Sequence, residues 1–345
     1  MWEILQGKAG DWMRAAQIRR EEMGLHSLGE KNDYFEGWYF RLCDPRCSLA
    51  VIVGFSPQHS AAPFFIQTTD TLTNQSQWAE FGWQDAVVRQ SPFHLTLGSN
   101  EFSLTRVKLD LPKLKVRLRL SGLTPLPFSR YAPTIMGPFA YLKNMECVHG
   151  VISLHHRMEG VVIANGRSLP VTGVGYLEKD RGTSFPQRYL WFQSNQCGVP
   201  DSCFFLSLAS IPLGPLTFNG CLLVVKLRDQ LHRFATYTGC RLESLRCRQF
   251  KEGSGWAKLR FHQGGWQIRI RLECGPACSL VSPHNGRMQG RIQESLSGRA
   301  HVTLLHHGVK VHESLWSQGG MELQWEKEED RNVEYSKKGL SLIHI

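Results

Sequence analysis

Gly175–Asn195 reads GYLEKDRGTSFPQRYLWFQSN, and the interpretation of the whole chain turns on it. An apolar strand runs into Glu178, Lys179 and Asp180, breaks at a Gly/Pro-bounded turn, and is followed by a second strand carrying Tyr189, Trp191, Gln193 and Asn195. Side chains alternate faces along a strand. Tyr176, Glu178 and Asp180 therefore share one face, and Tyr189, Trp191, Gln193 and Asn195 share one face of the next strand. Two carboxylates, a phenol, an indole and two amides can line one pocket in this way. The same run also reads as a solvated strand end, with Lys179 and Arg181 pairing locally with Glu178 and Asp180, where such pairs contribute little.

On either side the texture is the same. Short alternating or apolar runs broken by Gly, Pro, Asn and Asp follow one another from Tyr34: YFEGWYFRL, SLAVIVGFS, PFFIQTT, HLTLGS, KVRLRLSG and, later, CFFLSLASIP, GCLLVVKLR, WQIRIRLEC and GGMELQWE. Leu114, Val116, Leu118 and Leu120 alternate with Lys115, Arg117 and Arg119, the mark of an antiparallel strand wet on one side. These signals predict an all-β chain of sandwich or barrel type. Asn165-Gly166 is a strong hairpin signal. A faint repeat, Trp38 before LAVIVGFSP and Trp191 before FFLSLASIP, suggests two similar β-units. The expected organisation is a short helical lead over 1–30, a peripheral element with Asp11 as N-cap and Gly24 as stop. A first β-unit over 31–165, a second over 166–326 and a disordered tail over 327–345 follow. The last six residues, LSLIHI, are abruptly apolar after a charged run and read as an assembly artefact.

A chain of 345 residues buries enough surface to need no staples. The ten cysteines include pairs at Cys43/Cys47 and Cys274/Cys278 with C-x3-C spacing, which misses the zinc-knuckle form, and others sit in apolar runs. They read as reduced core thiols. There is no basic region followed by an apolar one at the start and no run of about 18 apolar residues, so a cytoplasmic protein is expected. The net charge of +10 is spread through strands rather than gathered in one arm. That pattern argues against nucleic acid and allows peripheral contact with an anionic membrane.

Five stretches, YFEGWYFRL (34–42), MECVHGVISLHH (145–156), GYLEKDRGTSFPQRYLWFQSN, FATYTG (234–239) and MQGRIQES (288–295), together resemble the tocopherol cyclase family. The resemblance runs from about Tyr34 to Glu322. It implies two lipocalin-like β-units, as in hydroxyneurosporene-synthase-like proteins and lipocalin-like Diels-Alderases, and closure of a prenylated hydroquinone to a chromanol ring. The chain departs from the family pattern at Arg181, where Trp is usual, and around Glu146 and Val148, where Asn and an aromatic are usual.

Such a ring closure protonates a trisubstituted alkene and lets a phenol oxygen attack the tertiary cation. A neutral carboxylic acid in a dry pocket is the natural donor, because burial keeps the proton on. Asp180 is the first candidate and Glu36 the second, with Glu178 and Glu146 also in reach. Tyr176, Trp38 and Tyr39 are candidates to face the cation or ligand. His149 is a candidate to accept the phenol proton or orient the quinol, with Trp191, Gln193 and Asn195 holding the ligand. No metal, nucleotide or other cofactor is implied; the partner expected is a hydrophobic small molecule. A lipocalin-like carrier that does no chemistry is the alternative, and an inward, desolvated carboxyl separates the two.

Overall fold

The structure, a computed structural model, describes residues 2–26, 33–58, 61–142, 145–213 and 216–325, with side chains from residue 11 onward except at 213 and 216. The expected tail and its apolar end lie outside the described residues. One helix, α1 (Trp2–Glu21), comes first. It begins well before Asp11 because Glu, Leu, Gln, Lys and Ala ahead of that position are good helix formers. It stops where expected, with the amide of Gly24 donating to the Glu21 carbonyl at 2.8 Å.

The strands that follow are β1 (Phe35–Asp44), β2 (Cys47–Phe55), β3 (Phe64–Asp70), β4 (Ser76–Phe81), β5 (Ala86–Gln90), β6 (Phe93–Leu97), β7 (Asn100–Ser103), β8 (Arg106–Asp110), β9 (Leu114–Thr124), β10 (Cys147–Ala164) and β11 (Arg167–Gly182). They form one antiparallel sheet in the order β4-β3-β2-β1-β11-β10-β9-β8-β7-β6-β5. Next come β12 (Tyr189–Ser194), β13 (Cys203–Leu213), β14 (Leu216–Leu227), β15 (Gln230–Ala235), β16 (Arg241–Gln249), β17 (Gly255–Gln263), β18 (Trp266–Cys274), β19 (Cys278–His284), β20 (Arg287–His306) and β21 (Val309–Gln324). Their order is β15-β14-β13-β12-β21-β20-β18-β17-β16, with β19 beside β20. The all-β, antiparallel architecture expected from the alternation is the one observed.

Two compact units result, Met1–Phe185 with Cys278–Ile292, and Pro186–Ala277 with Gln293–Ile345. The Asn165-Gly166 turn lies inside the first and joins β10 to β11. Both residues have positive φ, 47° and 78°, as a two-residue turn matched to strand twist requires. The faint repeat has a structural counterpart: each sheet begins with a four-strand meander whose first strand pairs with the last long strand of its set, β1 with β11 and β12 with β21. Trp38 and Trp191 stand on those equivalent first strands.

The first sheet is curled on itself. Residues of β1 to β3 and of β6 to β9 fall in one buried cluster, which a flat sheet of that order could not give. Trp38 of β1 stacks on Phe93 of β6 with ring centroids 4.8 Å apart, although five strands separate β1 from β6 in the sheet. The second sheet encloses its own cluster, from Leu190 and Phe204 to Ile270 and Trp316. All ten cysteines are free thiols, six of them buried.

Candidate active site

Three strands and the end of α1 build the site within the first unit. β11 lies between β1 and β10, so its residues have neighbours on both sides. The register sets Glu36 beside Arg181, Trp38 beside Lys179 and Tyr39 beside Glu178; on the other side His149 lies beside Asp180 and Gly150 beside Lys179. Alternation then sorts the side chains. Tyr39, His149, Tyr176, Glu178 and Asp180 project from one face, and Glu36, Trp38, Lys179 and Arg181 from the other. Lys179 therefore cannot pair with Glu178 or Asp180, its neighbours in sequence. It pairs with Glu36 across β1 and β11, and neither is at the surface, Lys179 being 2% and Glu36 0% exposed.

Glu36 is fully engaged. Besides Lys179 it accepts the Nδ1–H of His26 at 2.7 Å and the backbone amide of His26 at 2.9 Å. Burial pushes its pKa up, but Lys179 and His26 outweigh that and hold it below the usual carboxylate range. Burial in turn lowers the Lys179 pKa to about 8, against the pull of Glu36. The Lys179 ammonium also reaches the Gly24 carbonyl and lies 4.7 Å from the centre of the Trp38 ring. Glu36 thus stands as a carboxylate rather than a neutral donor, and the Trp38 face expected for a reaction cation already holds one. Nor is the helical lead peripheral. Met23 and Leu25 are part of the first core, and the Trp38 indole donates to the Met23 carbonyl at 2.9 Å.

On the opposite face His149 Nδ1 lies 2.7 Å from Asp180 Oδ1, and its Nε2 lies 3.5 Å from Glu178 Oε2. Tyr176 donates to the same Glu178 oxygen at 2.6 Å. Burial opposes charging of the imidazole, yet the two carboxylates outweigh it and raise the His149 pKa to about 9. His149 is therefore an imidazolium near neutrality, suited to orient a ligand by donation rather than to accept a proton. Among the described residues His149, Glu178 and Asp180 are also the group whose ligand atoms, all within 4.8 Å of one another, could hold a metal ion. Such an ion would first have to displace the imidazolium proton.

The residue that sequence reading missed is Glu22. β9 pairs with β10 only from His155 onward, so the edge of β10 near Val151 is open, and the end of α1 covers it. Arg19 donates to the Val151 carbonyl at 3.4 Å and forms an ion pair with Glu22. Glu22 Oε1 is buried with no hydrogen-bond partner among the described residues. It lies over Gly150, where an added Cβ would come within 2.8 Å of it. Burial raises the Glu22 pKa to about 7, although Arg19, His149 and Lys179 all pull it down. A cavity of about 90 Å³ opens here, bounded by Ile18, Glu22, His26, Thr134, His149 and Lys179. Arg181, the departure from the family pattern, lines it too. In the sequence Glu22 is one of two adjacent glutamates at a helix end, and no local signal marks it as buried.

Of the other candidates, Glu146 precedes β10; its carbonyl accepts the Thr183 amide at 2.8 Å, and burial raises its carboxyl pKa. Tyr39 is buried beside Glu178. Tyr189, Trp191 and Gln193 belong to β12 in the second unit, and Asn195 follows its end. There Gln193 donates to Asn195 at 2.7 Å, and Asn195 to the Ser202 carbonyl at 2.7 Å.

No protein-family model matches the chain, and no curated protein is significantly similar to it. Solved structures are. An AttH protein from Nitrosomonas europaea is 13% identical with a TM-score of 0.54, the match covering 87% of this chain and 94% of that one. CghA, in its structure with Sch210972, is 12% identical with a TM-score of 0.56, covering 85% and 89%. The fold is lipocalin-like. In this lipocalin-like chain the charged residues of Gly175–Gly182 lie inside the first unit, and Glu22, just past the end of α1, supplies a buried carboxyl of raised pKa beside them.

Proposed function

We propose that this protein is a tocopherol cyclase-like enzyme that closes a prenylated hydroquinone, or a similar lipid, to a chromanol ring. The observation that carries the reading is Glu22, a carboxyl whose pKa burial raises to about 7, on the wall of a cavity that Lys179 and Arg181 also line. In the reaction the Glu22 O–H bond breaks as a C–H bond forms at the less substituted alkene carbon. The phenol oxygen then closes the C–O bond to the tertiary carbon, and its proton returns to the Glu22 carboxylate. Nothing is consumed and the product is isobaric with the substrate. His149 and Lys179 stabilise the carboxylate left during the cycle, and Asp180 with Glu178 fixes His149 as its charged form. The cavity is far smaller than the roughly 300 Å³ of sites that enclose a drug-sized molecule, so it receives the reacting end of the lipid. A carrier would need none of these buried charges, each of which costs several kcal/mol in desolvation.

The test is to incubate the purified protein with a panel of prenylated hydroquinones and to follow the isobaric chromanol by chromatography and mass spectrometry. Loss of a general acid typically costs about 10²- to 10⁴-fold in rate; Glu22→Gln is expected to fall in that range, and Asp180→Asn to fall through misplacement of His149. Full turnover by Glu22→Gln would remove it as donor. A wild type that yields no chromanol yet carries a bound lipid in native mass spectrometry would make the protein a carrier.

A further inference from the structure

The cations that lie scattered in the sequence converge on one sheet face of the second unit. The register of β16, β17, β18 and β20 places Arg246 opposite Lys258, Lys258 opposite Arg271, and Arg271 opposite His301, so that one row crosses four strands. In the adjoining row Arg260 lies opposite Arg269. Arg248 and Arg299 stand in the row on the other side, with Glu273 between them. The arginines and Lys258 are exposed, while the intervening Leu259, Ile270, Leu272 and Val302 are buried in the core beneath. Among the described residues no ion pair is made by Lys258, Arg260, Arg271 or Arg299. Like charges directly opposite one another destabilise a sheet. Three such pairs side by side oppose folding and are relieved by an anionic surface laid across them.

We propose that this face docks on an anionic lipid bilayer. Its flank carries an exposed aliphatic side chain: Leu315 of β21, opposite His301 in the same row, is 70% exposed. Such side chains gain by entering the boundary between headgroups and acyl chains and offer nothing to a nucleic acid. A groove of about 440 Å³, with Arg271, Arg299, His301 and Leu315 on its walls and one carboxylate, Glu273, between the two arginines, opens at the same place and has room for a phosphate-bearing headgroup. The choice of a bilayer over other polyanions rests on the lipid substrate proposed above. The binding assay reads no turnover, so the two ideas fail separately.

The experiment is cosedimentation of the full chain with vesicles of phosphatidylcholine alone or with added phosphatidylserine. Binding is expected to the anionic vesicles and to be lost in high salt, which shortens the Debye length. Each cation near such a surface contributes roughly a fivefold gain in affinity, so Lys258→Gln, Arg271→Gln and Arg299→Gln together should weaken binding about a hundredfold. The same net charge change made by Lys115→Gln, Arg117→Gln and Arg119→Gln on β9 should leave it within about twofold; circular dichroism checks that both variants fold. Equal loss in the two variants, equal binding to neutral vesicles, or tighter binding to single-stranded RNA than to anionic vesicles would overturn the proposal.

Discussion

The imidazolium at the centre of the site makes stability depend on pH in a direction that can be worked out. His149 has a folded pKa of about 9, above its ordinary value of 6.5, so between those two values the folded chain binds a proton that the unfolded chain does not. Its contribution is complete below about pH 6.5 and is lost as pH rises through 9. The size is the gap of about 2.5 units times about 1.36 kcal/mol per unit, or roughly 3 kcal/mol. For a unit of this size about 2–4 °C accompanies each kcal/mol, so the wild type should lose roughly 6–12 °C of melting temperature over that range. Lys179, with its pKa lowered to about 8, works in the opposite sense and reduces the raw slope. The quantity to measure is therefore the difference between wild type and His149→Gln in thermal melts from pH 6 to 9.5. That difference should be largest at pH 6 and vanish by about pH 9.5, and Asp180→Asn should remove most of it. A pH-independent difference would refute the reasoning, because His149 would then contribute packing alone.

Two further outcomes follow from the same geometry. Lys179→Met leaves the Glu36 carboxylate buried without its main partner and should cost about 3–5 kcal/mol. Adding Glu36→Gln should recover a large part in urea unfolding; a double variant no more stable than the single would mean that the pair is not coupled. Gly150→Ala places a methyl carbon 2.8 Å from Glu22 Oε1 and 3.1 Å from its Cγ, against the end of a flexible side chain. Stability should change by less than about 1 kcal/mol while turnover falls tenfold or more, since roughly 1 Å of misplacement is enough for such a loss. Unaltered turnover would show that Glu22 need not sit where it does.

What was legible in the sequence was local and periodic. Alternation at Leu114–Leu120 or Ile268–Leu272 identifies a half-buried strand by itself, because a strand's side chains obey a period of two whatever it pairs with. The Asn165-Gly166 turn was legible for the same kind of reason: few residues adopt positive φ twice in succession. The shared face of Tyr176, Glu178 and Asp180, and the one of Tyr189, Trp191, Gln193 and Asn195, also follow from that period. What could not be read was partnership across the chain. Lys179 looked like a surface partner for its neighbours until β1 was laid beside β11 and gave it Glu36. Nothing local marked Glu22 for burial; it is buried because β9 leaves the edge of β10 open and the end of α1 covers it. The arginines of β16 to β20 looked dispersed because they are separated along the chain by turns, and antiparallel register brings them into rows. Composition and period thus determined that the chain is all-β and which residues face the same way. Only the tertiary structure decided which charges are buried, which are paired and which gather on one surface, because desolvation and Coulomb energy depend on distances between residues remote in sequence.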